Sequence, residues 1–323
     1  MQAFCLSVAV LLVSLCECVQ AEKLTLAHVA VNPSQGIFWV AKDSGILAKY
    51  GFTADIVLIP GTPRTVQALI AGDLDYAVAG SPAALRARMQ GADVVMLAGL
   101  SSYPSQRVFV RKGSTVQNLN ELKGKLVGVT QFGSAGDTFF RSALKKVGLR
   151  DTDVTILQMG GTPGVSQALE AGRIEVCVLG ESGMMLVFRG IARPLKGASA
   201  RELGFKGVDG PLSTTERKIK ADRGAVLRVV QAYVEAIHYV KTNKAGTIRI
   251  FQRYMRGLSE EDLGTWLDDF RESLRSVPYP DEEALRAELD QIGAPKSQSP
   301  AAFLNTTFLD ELKKNGFVDK LYR

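Results

Sequence analysis

The chain has 323 residues, a formal net charge of +6, 46 % hydrophobic and 22 % charged residues. That suffices for two ordinary lobes with apolar cores. The basic residues are scattered with few aromatics among them, which excludes a nucleic-acid stripe.

Residues 1–21 read as a leader. Phe4–Cys16 is an apolar run too short to span a bilayer, and Val19-Gln20-Ala21 before Glu22 fits small-residue cleavage. The alternative is an anchored or buried N-terminal helix. Cys16 and Cys18 raise a lipoprotein signal, although Leu15 suits one poorly. Cys5, Cys16 and Cys18 leave with the leader, so Cys177 alone remains. No intramolecular disulfide or cysteine metal site can then form, and Cys177 reads as a small core residue.

From Lys23 a pattern of strand, helix, strand, helix, strand begins. Lys23–Val31 is a strand running into the turn Asn32–Gly36. Ile37–Tyr50 is a helix stopped at Gly51, and Ala54–Ile59 is a second strand. Gly61–Gly80 then spells GTPRTVQALIAGDLDYAVAG, and one hundred residues on Gly161–Gly180 spells GTPGVSQALEAGRIEVCVLG. Ten of the twenty positions are identical without a gap, which marks an internal repeat. In each copy Thr62 or Thr162 is placed to cap a helix with proline in its first turn, glycine closes the helix, and a short apolar strand follows. The second copy is likewise preceded by a strand (Lys125–Thr130), a glycine-rich turn (Gln131–Gly136), a helix (Thr138–Val147) and a strand (Val154–Gln158). This order predicts two α/β lobes with parallel sheets and right-handed crossovers, facing across a cleft.

The copies then diverge. The first continues through a helix, Pro82–Gln90, and a strand, Asp93–Ala98, and Arg107–Val110 can cross to the second lobe. Lys196–Ser213 is loosely patterned. From Arg223 the chain reads as helix, led by an apolar stripe of Val226, Val229, Val230, Tyr233, Val234, Ile237 and Val240. Further helices are expected at about 245–256, 259–274, 281–292 and 306–315.

Ligands in open parallel sheets sit beyond the carboxyl ends of the strands, where helix starts expose free N–H groups. Six such starts carry small or polar residues: Ser34-Gln35-Gly36, Gly61-Thr62, Gly80-Ser81, Gly133-Ser134-Ala135-Gly136, Gly161-Thr162 and Gly180-Glu181-Ser182. If the lobes face each other, all six rim one cleft suited to an acceptor-rich ligand. The candidate ligand-binding residues are Gln35, Gly36, Trp39, Gly61, Thr62, Gly80, Ser81, Phe132, Gly133, Ser134, Asp137, Thr162 and Glu181. Trp39 could stack on a ligand ring or pack beneath the cleft. His28 could contact ligand or fill the core, and His238 reads as structural. Arg64, opposite Gly164 of the other copy, is a cationic fork or a solvated side chain. Nucleophile elbows, phosphate loops and metal spacings are absent, so neither catalytic residue nor cofactor nor metal is expected.

The strings NPSQGIFWVAKDSGILAKYG, GTPRTVQALIAGDLDYAVAGSPAAL, LKGKLVGVTQFGSAGDTFFRSALKKVGL and GTPGVSQALEAGRIEVCVLGE resemble the periplasmic solute-binding proteins of ABC importers. The type is that of nitrate, sulfonate and taurine receptors, which also includes pyrimidine-precursor binders related to thiamine-pyrimidine synthase. The resemblance implies a type II periplasmic-binding-protein fold. Residues 22–106 and 216–323 would form lobe I and residues 107–215 lobe II, with the chain returning near Thr214–Glu216. It further implies a monomer that hands a small polar or anionic solute to a membrane permease and its ATPase, binds no nucleic acid, and works in the periplasm or another extracytoplasmic space. A synthase-like enzyme is the alternative, but that relative's cysteine-rich motif has no counterpart beside Cys177. A regulator's effector domain would need a helix-turn-helix where the leader stands. Many relatives have acid-proline after the second-lobe strand; here it is Glu181-Ser182, which leaves the ligand open among a sulfonate, a nitrate-like anion, an aromatic acid and a pyrimidine.

The exported protein is expected to start within a few residues of Glu22. Intact-mass analysis checks this, and a retained leader or a diacylglycerol on Cys16 or Cys18 would overturn the soluble reading.

Overall fold

The computed structural model describes residues 21–323, so the expected leader, Ala21 apart, lies outside the described residues. The first half runs β1 (Glu22–His28), α1 (Ile37–Asp43), α2 (Ile46–Lys49), β2 (Phe52–Leu58), α3 (Thr62–Ala71), β3 (Tyr76–Val78), α4 (Ser81–Met89) and β4 (Val94–Ala98). The second runs β5 (Arg107–Arg111), β6 (Leu126–Val129), α5 (Ala135–Lys146), β7 (Thr155–Gln158), α6 (Thr162–Glu170), β8 (Val176–Leu179), α7 (Met184–Phe188), β9 (Ala192–Ser199) and β10 (Leu212–Thr215). Helices α8 (Glu216–Ala221), α9 (Arg223–Thr242), α10 (Lys244–Tyr254), α11 (Glu260–Ser273), α12 (Glu282–Gln291), α13 (Thr307–Lys314) and α14 (Phe317–Leu321) follow. None of the described helices is long and apolar enough to cross a membrane.

The repeat reappears as twin sheets, β2-β1-β3-β10-β4 and β7-β6-β8-β5-β9. In each, the first three strands are parallel and lie in the same order. The sheets are mixed rather than wholly parallel, because β10 runs antiparallel to β3 and β4, and β5 antiparallel to β8 and β9. Both β9 and β10 fall partly in the segment read as loosely patterned. Pro194 and Gly197 disguise β9, which sits at an edge where proline is tolerated. Strand β10, Leu-Ser-Thr-Thr, is short and polar yet buried, and Thr214 satisfies its hydroxyl by donating to Asp75 O at 2.8 Å. Since β10 belongs to the first sheet, the chain is back in that lobe by Leu212, ahead of the expected return at Thr214–Glu216.

Other differences are local. The helix expected over Ile37–Tyr50 breaks into α1 and α2 at Gly45, whose φ of +81° ends one helix and starts the next. Neither Thr62 nor Thr162 is an N-cap: Gly61 and Gly161 take that position, at φ of +93° and +146°, and the threonines lie in the first turn. These angles suit glycine alone, so the cap is a backbone requirement rather than a side-chain bond.

Helix α9 holds the first lobe together. Its predicted stripe, Val226 to Val240, is at most 1 % exposed and packs with Leu24, Leu26 and Tyr76 of the sheet and with α1. Burial of each aliphatic side chain contributes about 1.5–3 kcal/mol relative to exposure. The second lobe has its own core around Val127, Val129, Phe139, Phe140 and Val178.

Trp39 belongs to the first core. It is 1 % exposed, stacks on Tyr254 (4.6 Å, 3°), and meets His28 and Phe251 edge-on. Gly36 serves this packing, since a Cβ there would sit 2.8 Å from both the Phe251 and Trp39 rings. His28 is a core imidazole, with Nδ1 2.8 Å from Ala30 O. Trp39→Ala is therefore expected to cost about 3–5 kcal/mol of stability. Trp39→Phe should cost less and leave ligand affinity unchanged, which chemical denaturation and calorimetric titration check; weakened binding in the phenylalanine variant would return Trp39 to the site.

Candidate functional site

The carboxyl ends of both sheets face one another around a cavity of about 80 Å³. All six predicted helix starts contribute to its wall: Ser34 and Gln35, Gly61 and Thr62, Gly80, Ser134 to Gly136, Thr162, and Gly180 with Ser182. Through Ser34, Ser105, Gln106 and Asp209 it joins an outer cleft of about 980 Å³ between the second lobe and α11.

The lobes touch across this cavity. Arg86 on α4 donates to Gly133 O and Thr138 Oγ1, both at 3.1 Å, and Ser34 N–H donates to Glu181 Oε2 at 3.3 Å. Three glycines sit where any Cβ would strike the other lobe: Gly61 against the Gln131 side chain at 2.1 Å, Gly80 against Ala135 Cβ at 2.9 Å, and Gly161 against Pro60 Cβ at 2.4 Å. The conformation is closed.

Of the thirteen candidate residues, Gln35, Gly61, Thr62, Gly80, Ser134 and Thr162 line the inner cavity. Gln35 is held by Val29 N–H donating to its Oε1, and Ser134 caps α5 by accepting from Asp137 N–H. Glu181 lies in the outer cleft. The other six are placed elsewhere. Trp39 and Gly36 are core. Ser81 turns away, with its hydroxyl 2.9 Å from Val208 O and 2.7 Å from Glu288 Oε1. Asp137 accepts from Gly133 N–H and from Arg141, so its carboxylate ties the turn before α5. Gly133 offers its carbonyl to Arg86, and Phe132 is 50 % exposed beneath Arg141. Arg64 is exposed, while a Cβ on its counterpart Gly164 would lie 2.0 Å from Met159 O. The residues missed are Ser105, Gln106, Asp209 and Gly210, on the two segments that join the lobes. They carry no periodic pattern. The polar pair Asp209-Gly210 was the available signal.

These features meet in a known family. The family described as NMT1/THI5 like matches residues 32–245. This chain belongs to it. A putative binding protein of Brucella abortus (strain 2308) is 34 % identical over 141 residues, 44 % of this chain and 43 % of that one, so the match spans less than half of the curated relative. Among solved structures, a Bordetella bronchiseptica RB50 protein superposes with a TM-score of 0.78 at 18 % identity, covering 92 % of this chain and 98 % of that one. The alkanesulfonate-binding protein of Xanthomonas axonopodis pv. citri, bound to MOPS, gives 0.70 at 21 %, covering 88 % and 98 %. The fold is the type II periplasmic-binding-protein fold. Among the described residues of this NMT1/THI5-like chain, no three of His, Cys, Asp and Glu are grouped to hold a metal ion. Cys177 is fully buried in β8, and burial pushes its thiol up to about 12, far from the range of a nucleophile.

Three carboxyls gather at the segment that returns to lobe I: Glu288 is buried, while Asp209, on the segment itself, and Glu181 are half-buried. Burial, reinforced by nearby Asp209, pushes Glu181 up to about 7. Burial raises Asp209 to about 6 against the hydrogen bonds of Ser105. Burial raises Glu288, only 4 % exposed, to about 7 against hydrogen bonds from Ser81 and Val208 N–H. A carboxyl raised on folding binds more protons in the native state, so its contribution is present below the unfolded pKa and lost as pH rises through the folded one. For Glu288 the rise from 4.5 to about 7 corresponds to about 3 kcal/mol between pH 4 and 8. His28, which burial lowers, acts in the opposite direction. Glu288→Gln keeps the shape and removes the titration. Its melting temperature should therefore fall less than that of the parent between pH 5 and 8, as calorimetry can measure; parallel pH profiles would show that Glu288 stays ionised throughout.

Proposed function

We propose that this chain is an exported substrate-binding protein that captures a small polar solute between its lobes and delivers it to an ABC importer. The observation that carries this reading is the convergence of six helix starts, three from each copy of the repeat, on one inter-lobe cavity. Helix starts supply oriented N–H groups without a catalytic side chain, which suits holding a solute rather than transforming it. Structural relatives, an alkanesulfonate-binding protein and a nitrate-binding protein among them, point to the same class of activity. The permease, its ATPase and an extracytoplasmic location are part of this proposal. So is the division into lobes that move as units about the segments near Arg107 and Asp209.

A ligand touching both lobes must favour the closed state by its differential affinity. The cognate solute should raise the melting temperature and shrink the radius of gyration together. At a hundredfold excess over its dissociation constant the stabilisation is about 2.7 kcal/mol. Gly80→Ala tests the closure itself. Gly80 has an ordinary backbone conformation (φ −67°, ψ 135°), and the added methyl would meet Ala135 Cβ only when the lobes close. The variant should melt like the parent without ligand, yet bind more weakly and compact less. Scattering and titration that match the parent in every respect would mean that capture does not need this closed geometry.

A further inference from the structure

The inner cavity has a one-sided charge. Among the described residues, Asp209 is the one acidic side chain on its wall, and no Lys, Arg or His lines it. Asp209 Oδ1 accepts from Ser105 Oγ at 3.1 Å, and no Lys or Arg of the described residues lies within salt-bridge distance of it. Glu181 approaches from the end of β8, where Ser34 N–H of the other lobe donates to it. Beside them Gln106, 9 % exposed, has a buried Oε1 with no hydrogen-bond partner. Glu288 on α12 and Tyr233 on α9 face Asp209 and Arg107 on β5 faces Glu181, while Lys196, Arg201, Glu202, Asp269 and Glu272 line the outer cleft farther along. Arg107 lies in the outer cleft, and its Nε is buried without a partner.

This arrangement penalises an anion. Two neighbouring half-buried carboxyls, once ionised, repel a third negative charge more strongly than they would in open water. An acceptor-rich wall with an orphaned amide oxygen is instead missing a donor. Resting on the receptor reading above, we infer that the solute presents a cationic or multiply donating nitrogen, of amidine, guanidine or protonated-amine class, to Asp209, Gln106 and Glu181. The other helix starts that line the cavity can hold an acceptor elsewhere on the same molecule. Desolvation raises both carboxyls, so they hold protons at a higher pH than free carboxylates do. A cation must displace that proton, so its affinity rises with pH through the range where Asp209 and Glu181 titrate. An anion shows the reverse slope.

The test uses benzamidine and benzoate, which share a shape and differ in the sign of the charged group. Thermal shift and calorimetric titration are run on the full exported chain between pH 5 and 7.5. Benzamidine should bind, with affinity rising by up to about tenfold per pH unit at the acidic end, while benzoate should not. Asp209→Asn should weaken benzamidine by about tenfold or more, with Glu181→Gln as a second variant should the first fail to fold. Preference for benzoate, equal affinity for the two, or no response to benzamidine in the parent overturns the inference. Scattering separates it from the receptor reading. Compaction by benzoate would leave capture standing and remove the charge preference. Benzamidine binding without compaction would support the charge preference and remove two-lobe capture.

Discussion

Three glycines carry bare backbone up against the opposing lobe, and at each the missing side chain makes the approach possible. Gly61, Gly80 and Gly161 lie at the ends of strands or turns where α3, α4 and α6 begin, and a side chain at any of them would collide with Gln131, Ala135 or Pro60. Two of the three also hold positive φ, so the same atom that would block closure would strain the turn. The repeat therefore preserves a surface as well as a fold. Its GTP opening places bare backbone at the face where the other half must dock. Everything chemical about the cavity follows from that closeness, because only closed lobes bring six helix starts around a space of about 80 Å³.

The two joining segments supply what the helix starts lack. Each sheet is completed by a strand that follows a crossing, β5 next to β8 and β10 between β3 and β4, so both crossings are sewn into a sheet soon after they leave the cleft. Ser105-Gln106 and Asp209-Gly210 are the short stretches just before those strands, and Ser105 is bonded to Asp209. A carboxyl on a crossing segment is close to both lobes in any degree of opening. Its protonation is then sensitive to how much water the cleft admits, which couples the charge of the site to closure.

Much of the framework was legible because it rests on local patterning. The stripe of α9, the glycine stops and the twinned strand–helix order are all periodic, and they place strands and helix starts without reference to distant residues. What failed was rotation and partnership. Trp39 and Ser81 stand at helix starts as expected, but a start spans a full turn, and only tertiary packing decides which of its side chains face the cleft. Trp39 is drawn under the sheet by Tyr254 and Phe251, more than two hundred residues away in the chain. Asp137 looked like a ligand contact and is claimed by Arg141 one turn on, a local pair that sequence spacing does permit. Strand β10 escaped notice because a buried hydroxyl such as that of Thr214 is satisfied by Asp75 O rather than by water, which no hydropathy pattern reports.

The divergence between the copies is as informative as their identity. After the third strand one copy reads Gly80-Ser81 and the other Gly180-Glu181, equivalent positions with opposite uses. Ser81 turns from the cleft and holds Glu288 of α12, together with Val208 on the returning segment. A serine hydroxyl has a single proton, and two acceptors lie within its reach. When Glu288 is protonated it can donate to Ser81 while Ser81 donates to Val208, and all three groups are satisfied. Ionising Glu288 removes that donor and leaves two acceptors competing for one proton. Glu181, in the matching slot, reaches across to Ser34 of the other lobe instead. One copy has thus committed its helix start to bracing the return segment against the C-terminal helices, and the other to meeting the opposite lobe. A duplicated unit with two equal faces would enclose a symmetric cavity; splitting these roles makes the two faces chemically different.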